Sequence, residues 1–205
     1  MKIGLLGGTF NPVHNGHLLL ADGAEKFLKL DQVLWIPARI APHKAEAAAS
    51  RSSFDSAQDE RSRGATAEDR AAMVELAIRD HPSFQLSRVE LERPPPSYTI
   101  DTVRQIQSQL NDSKIELVFL VGSDTASELS GWRQFDRLSR LVRFAAVPRP
   151  GHPVGPLPGG VKEIPVKTLD ISSSEIRQRI RQGQPVQSFL PEPVLRCIEE
   201  HQLYR

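Results

Sequence analysis

A chain of 205 residues, 39% hydrophobic and 25% charged, is long enough to bury one core and polar enough to face water. A formal net charge of +1 excludes a bulk electrostatic attraction to nucleic acid or to an acidic membrane surface. One cysteine, Cys197, excludes an intrachain disulfide and a cysteine zinc cage, and no apolar run reaches membrane-spanning length.

Residues 2–6 ("KIGLL") predict a first strand, too short in its apolar part to act as a signal peptide, so a cytoplasmic location is expected. Residues 16–30 predict a helix that Gly23 weakens. Residues 33–36 ("VLWI") predict a second strand closed by Pro37. Residues 45–65 are rich in Ala, Ser and charge, with Phe54 as their one large apolar residue. They predict a mobile surface insertion, preferred over a lid, because such a segment buries too little to offset its ordering.

Residues 67–80 predict a helix, with Thr66 and Asp69 at capping-box spacing. The stretch "FQLSRVEL" is a strand candidate. In "SYTIDTVRQIQSQL", Ile100, Val103, Ile106 and Leu110 fall on one helical face. Residues 116–121 ("ELVFLV") and 142–147 ("VRFAAV") read as buried parallel strands. A Pro/Gly-rich loop over 149–160 separates these from a weaker strand at 162–166, where Pro165 suits a strand end. Helices at about 173–182 and 191–201 finish the chain. Strand–helix alternation predicts one α/β domain over 1–205 with a mostly parallel sheet and a small helical part from about 171.

The chemistry concentrates in "GGTFNPVHNGHL", residues 7–18, between the first strand and first helix. Ligands of open parallel sheets bind at the carboxyl ends of the strands. Gly7 and Gly8 let the backbone approach a ligand, and amides at a helix start favour anions. His14 and His17 stand three apart, so both rings can face one side and donate to phosphate oxygens. A metal site would need more ligands, but His43, His81, His152 and His201 are scattered and no HExxH occurs. The loop also lacks the dinucleotide G-x-G-x-x-G and the P-loop Gly-Lys-Ser/Thr ending. A plain turn with solvated imidazoles is the remaining alternative; two histidines beside a Gly-Gly strand end favour phosphate.

A second candidate is "DISSSEIR", residues 170–177. Ser172 and Glu175 fit a capping box, which makes Ser173 and Ser174 the first helical residues. Arg177, about a turn later, can fork to a phosphate oxygen. Alone this reads as ordinary capping; with the first motif, a two-ended clamp on a polyphosphate explains both better.

Together the motifs resemble the nucleotidyltransferase superfamily, and the fuller pattern resembles the bacterial nicotinate-nucleotide adenylyltransferases. "GGTFNPVHNGH", "PHK" (42–44), "EDRAAMVELAI", "SYTIDTV", "FLVGSDTASELSGW", "PRPG", "ISSSEIRQRIRQG" and "FLPEPVLRCIEEHQLY" carry the resemblance over nearly all the chain except 45–65. It implies a Rossmann-like open sheet flanked by helices on both faces. It also implies a reaction, ATP plus nicotinate mononucleotide giving nicotinate adenine dinucleotide and pyrophosphate, with Mg²⁺ carried by the phosphates and no protein metal ligand. By the same resemblance His14 and His17 contact the ATP phosphates, with His17 stabilising the transition state. Gly7, Gly8, Thr9 and Phe10 line the nucleotide site, and Gly122 and Asp124 lie near adenosine and ribose. Ser173, Ser174 and Arg177 hold the triphosphate, and Lys44 reaches phosphate. Thr99 and Trp132 border the nicotinate end, and Arg149 is a further substrate candidate. From the residues alone, Trp132 reads as core and Lys44 as a solvated loop charge.

Asn11 stands where the resemblance leads one to expect Asp, and the 45–65 insertion follows "PHK" directly. Alternatives are transfer to nicotinamide mononucleotide or another phosphate acceptor such as phosphopantetheine, or a non-catalytic nucleotide-binding regulator. Phosphopantetheine is disfavoured because that group resembles a version with Thr or Ser at position 14, and intact His14, His17 and Arg177 argue against the regulator. The expected partners are small molecules, with oligomeric state open.

Overall fold

The computed structural model describes residues 1–40, 64–112, 114–148, 158, 160–166 and 169–205. In chain order these form β1 (Lys2–Gly8), α1 (Asn15–Leu28), β2 (Gln32–Pro37), α2 (Ala67–Ile78), β3 (Phe84–Leu86) and α3 (Thr99–Leu110). Then come β4 (Glu116–Gly122), a short α4 (Ser123–Ala126), a 3₁₀ turn at Leu129–Gly131, α5 (Phe135–Leu141), β5 (Arg143–Val147) and β6 (Val161–Glu163). The last helices are α6 (Ser173–Arg181) and α7 (Glu192–Glu200).

The six strands make one sheet in the order β3-β2-β1-β4-β5-β6. Every pairing is parallel, from β2–β3 at one side to β5–β6 at the other. The expected mostly parallel, Rossmann-like sheet is therefore parallel throughout. Alternate residues of each strand feed opposite faces. Leu117, Phe119 and Val121 of β4 join Ile100, Val103 and Ile106 of α3 in one core. Val118 and Leu120 join Ala21 and Ala24 of α1, Met73 and Val74 of α2 and Val194 and Ile198 of α7 in the other. Both faces are covered, which is why the central strands read as continuous apolar runs. The final helices are part of that second core, through Ile176, Val194, Ile198 and Tyr204.

Several elements differ from the sequence expectation. Only Phe84–Leu86 of the candidate 84–91 strand pairs with β2. The chain then turns, with the amides of Leu91 and Glu92 both donating to the Arg88 carbonyl. β6 starts at Val161 and ends before Pro165, although the Ile164 amide still donates to Ala146 at 2.9 Å. The strand expected to close at Pro37 includes it. α5 carries no long periodic face and was not expected. The insertion expected over 45–65 lies outside the described residues up to 63, but its last two positions are packed. Ala65 is in the core, and a Cβ on Gly64, at φ +97°, would stand 2.5 Å from the Tyr204 ring.

Gly23 has a packing reason within α1. A Cβ there would lie 2.3 Å from Val166 Cγ1. Gly23→Ala should therefore lower stability by about 1–3 kcal/mol through overpacking, despite a helix-propensity gain of about 1 kcal/mol. Urea denaturation checks this, and a more stable variant would show that Val166 moves aside freely.

Candidate functional site

The strand order reverses between β1 and β4, so the crevice of this sheet opens at their carboxyl ends, Gly8 and Gly122. A cavity of about 850 Å³ lies there. Gly7, Gly8, Thr9, His14, Gly16 and His17 line it from the first loop, and Gly122 and Thr125 from the end of β4. Ser97, Tyr98 and Thr99 enter from the start of α3, and Trp132 and Arg133 from the turn after the 3₁₀ segment. A volume of this size suits a small-molecule ligand.

The first loop has little regular hydrogen bonding of its own. Phe10 adopts φ 48°, left-handed backbone that a non-glycine residue takes only when its surroundings hold it there. The Phe10 ring is 2% exposed and packs edge-on to His17, with centroids 5.1 Å apart, and against Trp35 at 5.5 Å. Phe10 is thus a support behind Gly8 and His17 and does not face the cavity. The Gly8 position is tight on that side, since a Cβ would come 3.2 Å from the Phe10 ring.

His14 is the N-cap of α1 and is buried, while His17 is the third helical residue. Their rings lie 3.8 Å apart, inclined by 31°. The His14 amide donates to His17 Nδ1 at 3.2 Å. A neutral ring whose Nδ1 accepts carries its proton on Nε2, so His17 keeps an Nε2–H donor. Gly16 makes room for the pair, because a Cβ there would meet His14 Nδ1 at 3.0 Å. Two amides at the start of α1 are engaged within the chain. The Asn15 amide donates to Phe189 O and the His17 amide to His14 O, both at 2.9 Å. The two imidazoles add side-chain donors to whatever amides the loop presents.

The second motif comes to the first, but from behind. Ser173 Oγ donates to Pro12 O at 2.9 Å, and Arg177 Nη1 donates to Asn11 O at 2.6 Å. Arg177 Nη2 also donates to Ser174 Oγ at 3.1 Å. Burial lowers the pKa of the Arg177 guanidinium. Ser173, Ser174 and Arg177 do not line the described cavity; Ser173 and Arg177 grip the loop backbone, and Ser174 accepts from Arg177. Ser172 accepts from the Glu175 amide as the capping box requires, while the Glu175 carboxylate turns to Arg179 at 2.9 Å. Tyr204 donates to Asn11 Oδ1 at 2.7 Å, an oxygen that Asn and Asp both present. Burial raises the pKa of the Tyr204 hydroxyl and keeps it a donor.

Thr99 and Trp132 both line the cavity. Trp132 also packs edge-to-face on Phe119, at 5.8 Å and 88°, so it lines the cavity and joins the core beside it. Gly122 caps α4 and lines the cavity; Asp124 is the second residue of α4, and its side chain lies outside the described part of the structure. Lys44 and Arg149 also lie outside the described residues.

Three residues of the site left no mark in the sequence reading. Arg70, 4% exposed on α2, donates to Thr9 O at 2.6 Å, Ala38 O at 2.8 Å and Arg39 O at 3.1 Å. It ties the end of β1 to the end of β2. Arg133 lies 4.5 Å over the Tyr98 ring, a cation–π contact on the cavity wall. Glu90, buried after β3, lines the cavity as well. Arg70 stood inside "EDRAAMVELAI", but nothing local distinguishes it from a surface helix arginine. Among the described residues, no group of three or more His, Cys, Asp or Glu is placed to hold a metal ion, and no helix is long and apolar enough to cross a membrane.

Gly16→Ala should push the His14 ring off its seat. In histidine NMR spectra the ring signals of positions 14 and 17 should shift while that of His81 stays; unmoved signals would mean the close approach is not needed.

Residues 5–179 match the cytidylyltransferase-like family. A probable nicotinate-nucleotide adenylyltransferase of Geobacillus thermodenitrificans is 41% identical over 203 residues, 99% of this chain and 86% of the relative. One of Thermus thermophilus is 39% identical over 205 residues, the full length of both. Among solved structures, Plasmodium falciparum nicotinic acid mononucleotide adenylyltransferase complexed with NaAD superposes with a TM-score of 0.74 at 17% identity, covering 99% of this chain and 97% of the other. At that identity the likeness shows the fold.

Proposed function

The chain belongs to the nicotinate-nucleotide adenylyltransferases of the cytidylyltransferase-like family, and on that premise we propose that it transfers the adenylyl group of ATP to nicotinate mononucleotide. The observation that carries the reading is the His14–His17 pair, set by Gly16 at the mouth of the crevice where β1 and β4 part.

A phosphate oxygen of the mononucleotide attacks the α-phosphorus of ATP. The new O–P bond forms as the bond to the β-phosphate bridging oxygen breaks, and pyrophosphate leaves. The attacking phosphate is already ionised near neutral pH, with a second pKa of about 6. No protein nucleophile or strong base is required, and catalysis reduces to positioning and charge stabilisation. His17, with Nδ1 committed to the His14 amide, directs Nε2–H to a non-bridging oxygen of the reacting phosphate. His14 stacks beside it and shares the phosphate. Gly7, Gly8 and Thr9 admit the nucleotide close to the strand end.

Gly122 and Asp124 are assigned to the adenosine side, and Thr99 and Trp132 to the pyridine ring. Ser173, Ser174 and Arg177, which stand outside the described cavity on the far side of the loop, are assigned to the pyrophosphate end, beyond the loop that Ser173 and Arg177 hold. Lys44 is assigned to phosphate and Arg149 to substrate. Mg²⁺ enters with ATP, held by phosphate oxygens. When bound, it offsets charge on the leaving pyrophosphate. We place the reaction in the cytoplasm.

Steady-state pyrophosphate release with ATP–Mg²⁺ and each acceptor tests the reading. Nicotinate mononucleotide should outrun the amide and phosphopantetheine; no release with any acceptor sinks the enzyme reading, and equal rates with acid and amide sink the specificity. His17→Ala should lower kcat by about 10²–10³, on the order of 2.7–4 kcal/mol of barrier, as for loss of one preorganised donor. Near-normal turnover would remove His17 from the mechanism.

A further inference from the structure

Glu90 has no part in the mechanism above, yet the residue lines the cavity and is only 7% exposed. A carboxyl buried this far is unfavourable unless hydrogen bonds hold it. Thr102 Oγ1 donates to Glu90 Oε1 at 2.7 Å, and the Ser97 side chain hydrogen-bonds to the carboxyl too. Arg93 reaches the same cluster, with Nη2 donating to Thr102 Oγ1 at 2.9 Å and to Tyr98 O at 3.4 Å. A hydroxyl has one proton and two lone pairs, so Thr102 can give its proton to Glu90 while accepting from Arg93. Burial raises the carboxyl pKa, and Thr102, Arg93 and Ser97 pull against that rise.

The partners of Glu90 share one short stretch, the entry to α3 and its first turn. Tyr98, the N-cap of α3, makes no side-chain cap hydrogen bond. The side-chain ties of this helix end therefore run through Thr102 and Ser97 to Glu90 and Arg93. Ser97, Tyr98 and Thr99 are also the cavity-lining residues of this stretch.

We infer that Glu90 is a positioning residue for the pyridine end of the acceptor mononucleotide: through Thr102 and Ser97 it sets Tyr98 and Thr99 at their places on the cavity wall. This rests on the reading that gives the α3 side of the cavity to the mononucleotide. ATP is assigned to residues 7–17 and the end of β4, whereas the partners of Glu90 among the described residues are Thr102, Ser97 and Arg93. The effect of losing Glu90 is therefore one-sided.

Kinetic constants for both substrates, with melting temperatures, for wild type, Glu90→Ala, Glu90→Gln and Thr102→Val test this. Glu90→Ala should raise KM for nicotinate mononucleotide about tenfold, the loss of one net hydrogen-bond equivalent, with KM for ATP held within about twofold. Glu90→Gln, which keeps an acceptor oxygen for Thr102, should recover most of the loss. Thr102→Val should move the same constant in the same direction, and it carries the test alone if Glu90→Ala does not fold. Both KM values rising together, neither rising, or Gln performing no better than Ala would overturn the inference. Wild type without turnover on the mononucleotide overturns the acceptor reading and this inference with it. Wild-type turnover with a symmetrical KM pattern overturns this inference alone.

Discussion

Three carbonyl groups of one loop find their donors in distant parts of the chain. Thr9 O takes Arg70 from α2, Asn11 O takes Arg177 from α6, and Pro12 O takes Ser173 from the same helix. A buried carbonyl left without a donor costs about 1–3 kcal/mol. The loop therefore has its shape only when α2 and α6 are docked. Phe10 sits at φ 48° within it, a conformation that the loop sequence does not favour by itself. His14 and His17 follow directly, and their ring separation of 3.8 Å inherits the loop's placement. The site is in this sense a product of the whole fold.

That dependence explains why the two motifs sit near opposite ends of the chain. α6 and α7 pack into the core face that also holds α1 and α2, through Ile176, Val194 and Ile198. Tyr204 then closes the arrangement from the far end, against Asn11 and over Gly64. The cavity's other wall is tied separately, with the start of α3 held from Glu90 and Arg93. One wall is braced by backbone-gripping arginines and the other by a buried carboxyl. A reaction that needs positioning more than acid–base chemistry suits such a site.

Much of this was legible in the sequence, for physical reasons that differ by element. β1, β4 and β5 read as apolar runs because parallel strands are buried on both faces. The α3 face read correctly: Ile100, Val103 and Ile106 are buried and Leu110 packs beside them. The histidine pair stood out because glycines and a strand end framed it, and the two rings do come together. Residues 84–91 misled: Val89, Glu90 and Leu91 are all buried in a turn, with no strand periodicity to keep. Gly23 read as a weak point and proved to be a contact with Val166. Arg70 and Glu90 left no local signal, since their partners lie far along the chain or on a neighbouring element. The serines and arginine of the second motif were legible as a pair with the first, but their grip on the loop backbone was not.

The loop that carries the histidine pair is shaped from a distance, by α2 and α6. Amide hydrogen exchange over residues 9–17 in Arg177→Met, without nucleotide, tests that most directly, because no phosphate contact contributes. The loop should lose protection relative to wild type while β1 and β4 keep theirs. Unchanged protection of residues 9–17 would contradict the claim that α6 holds the histidine pair in place.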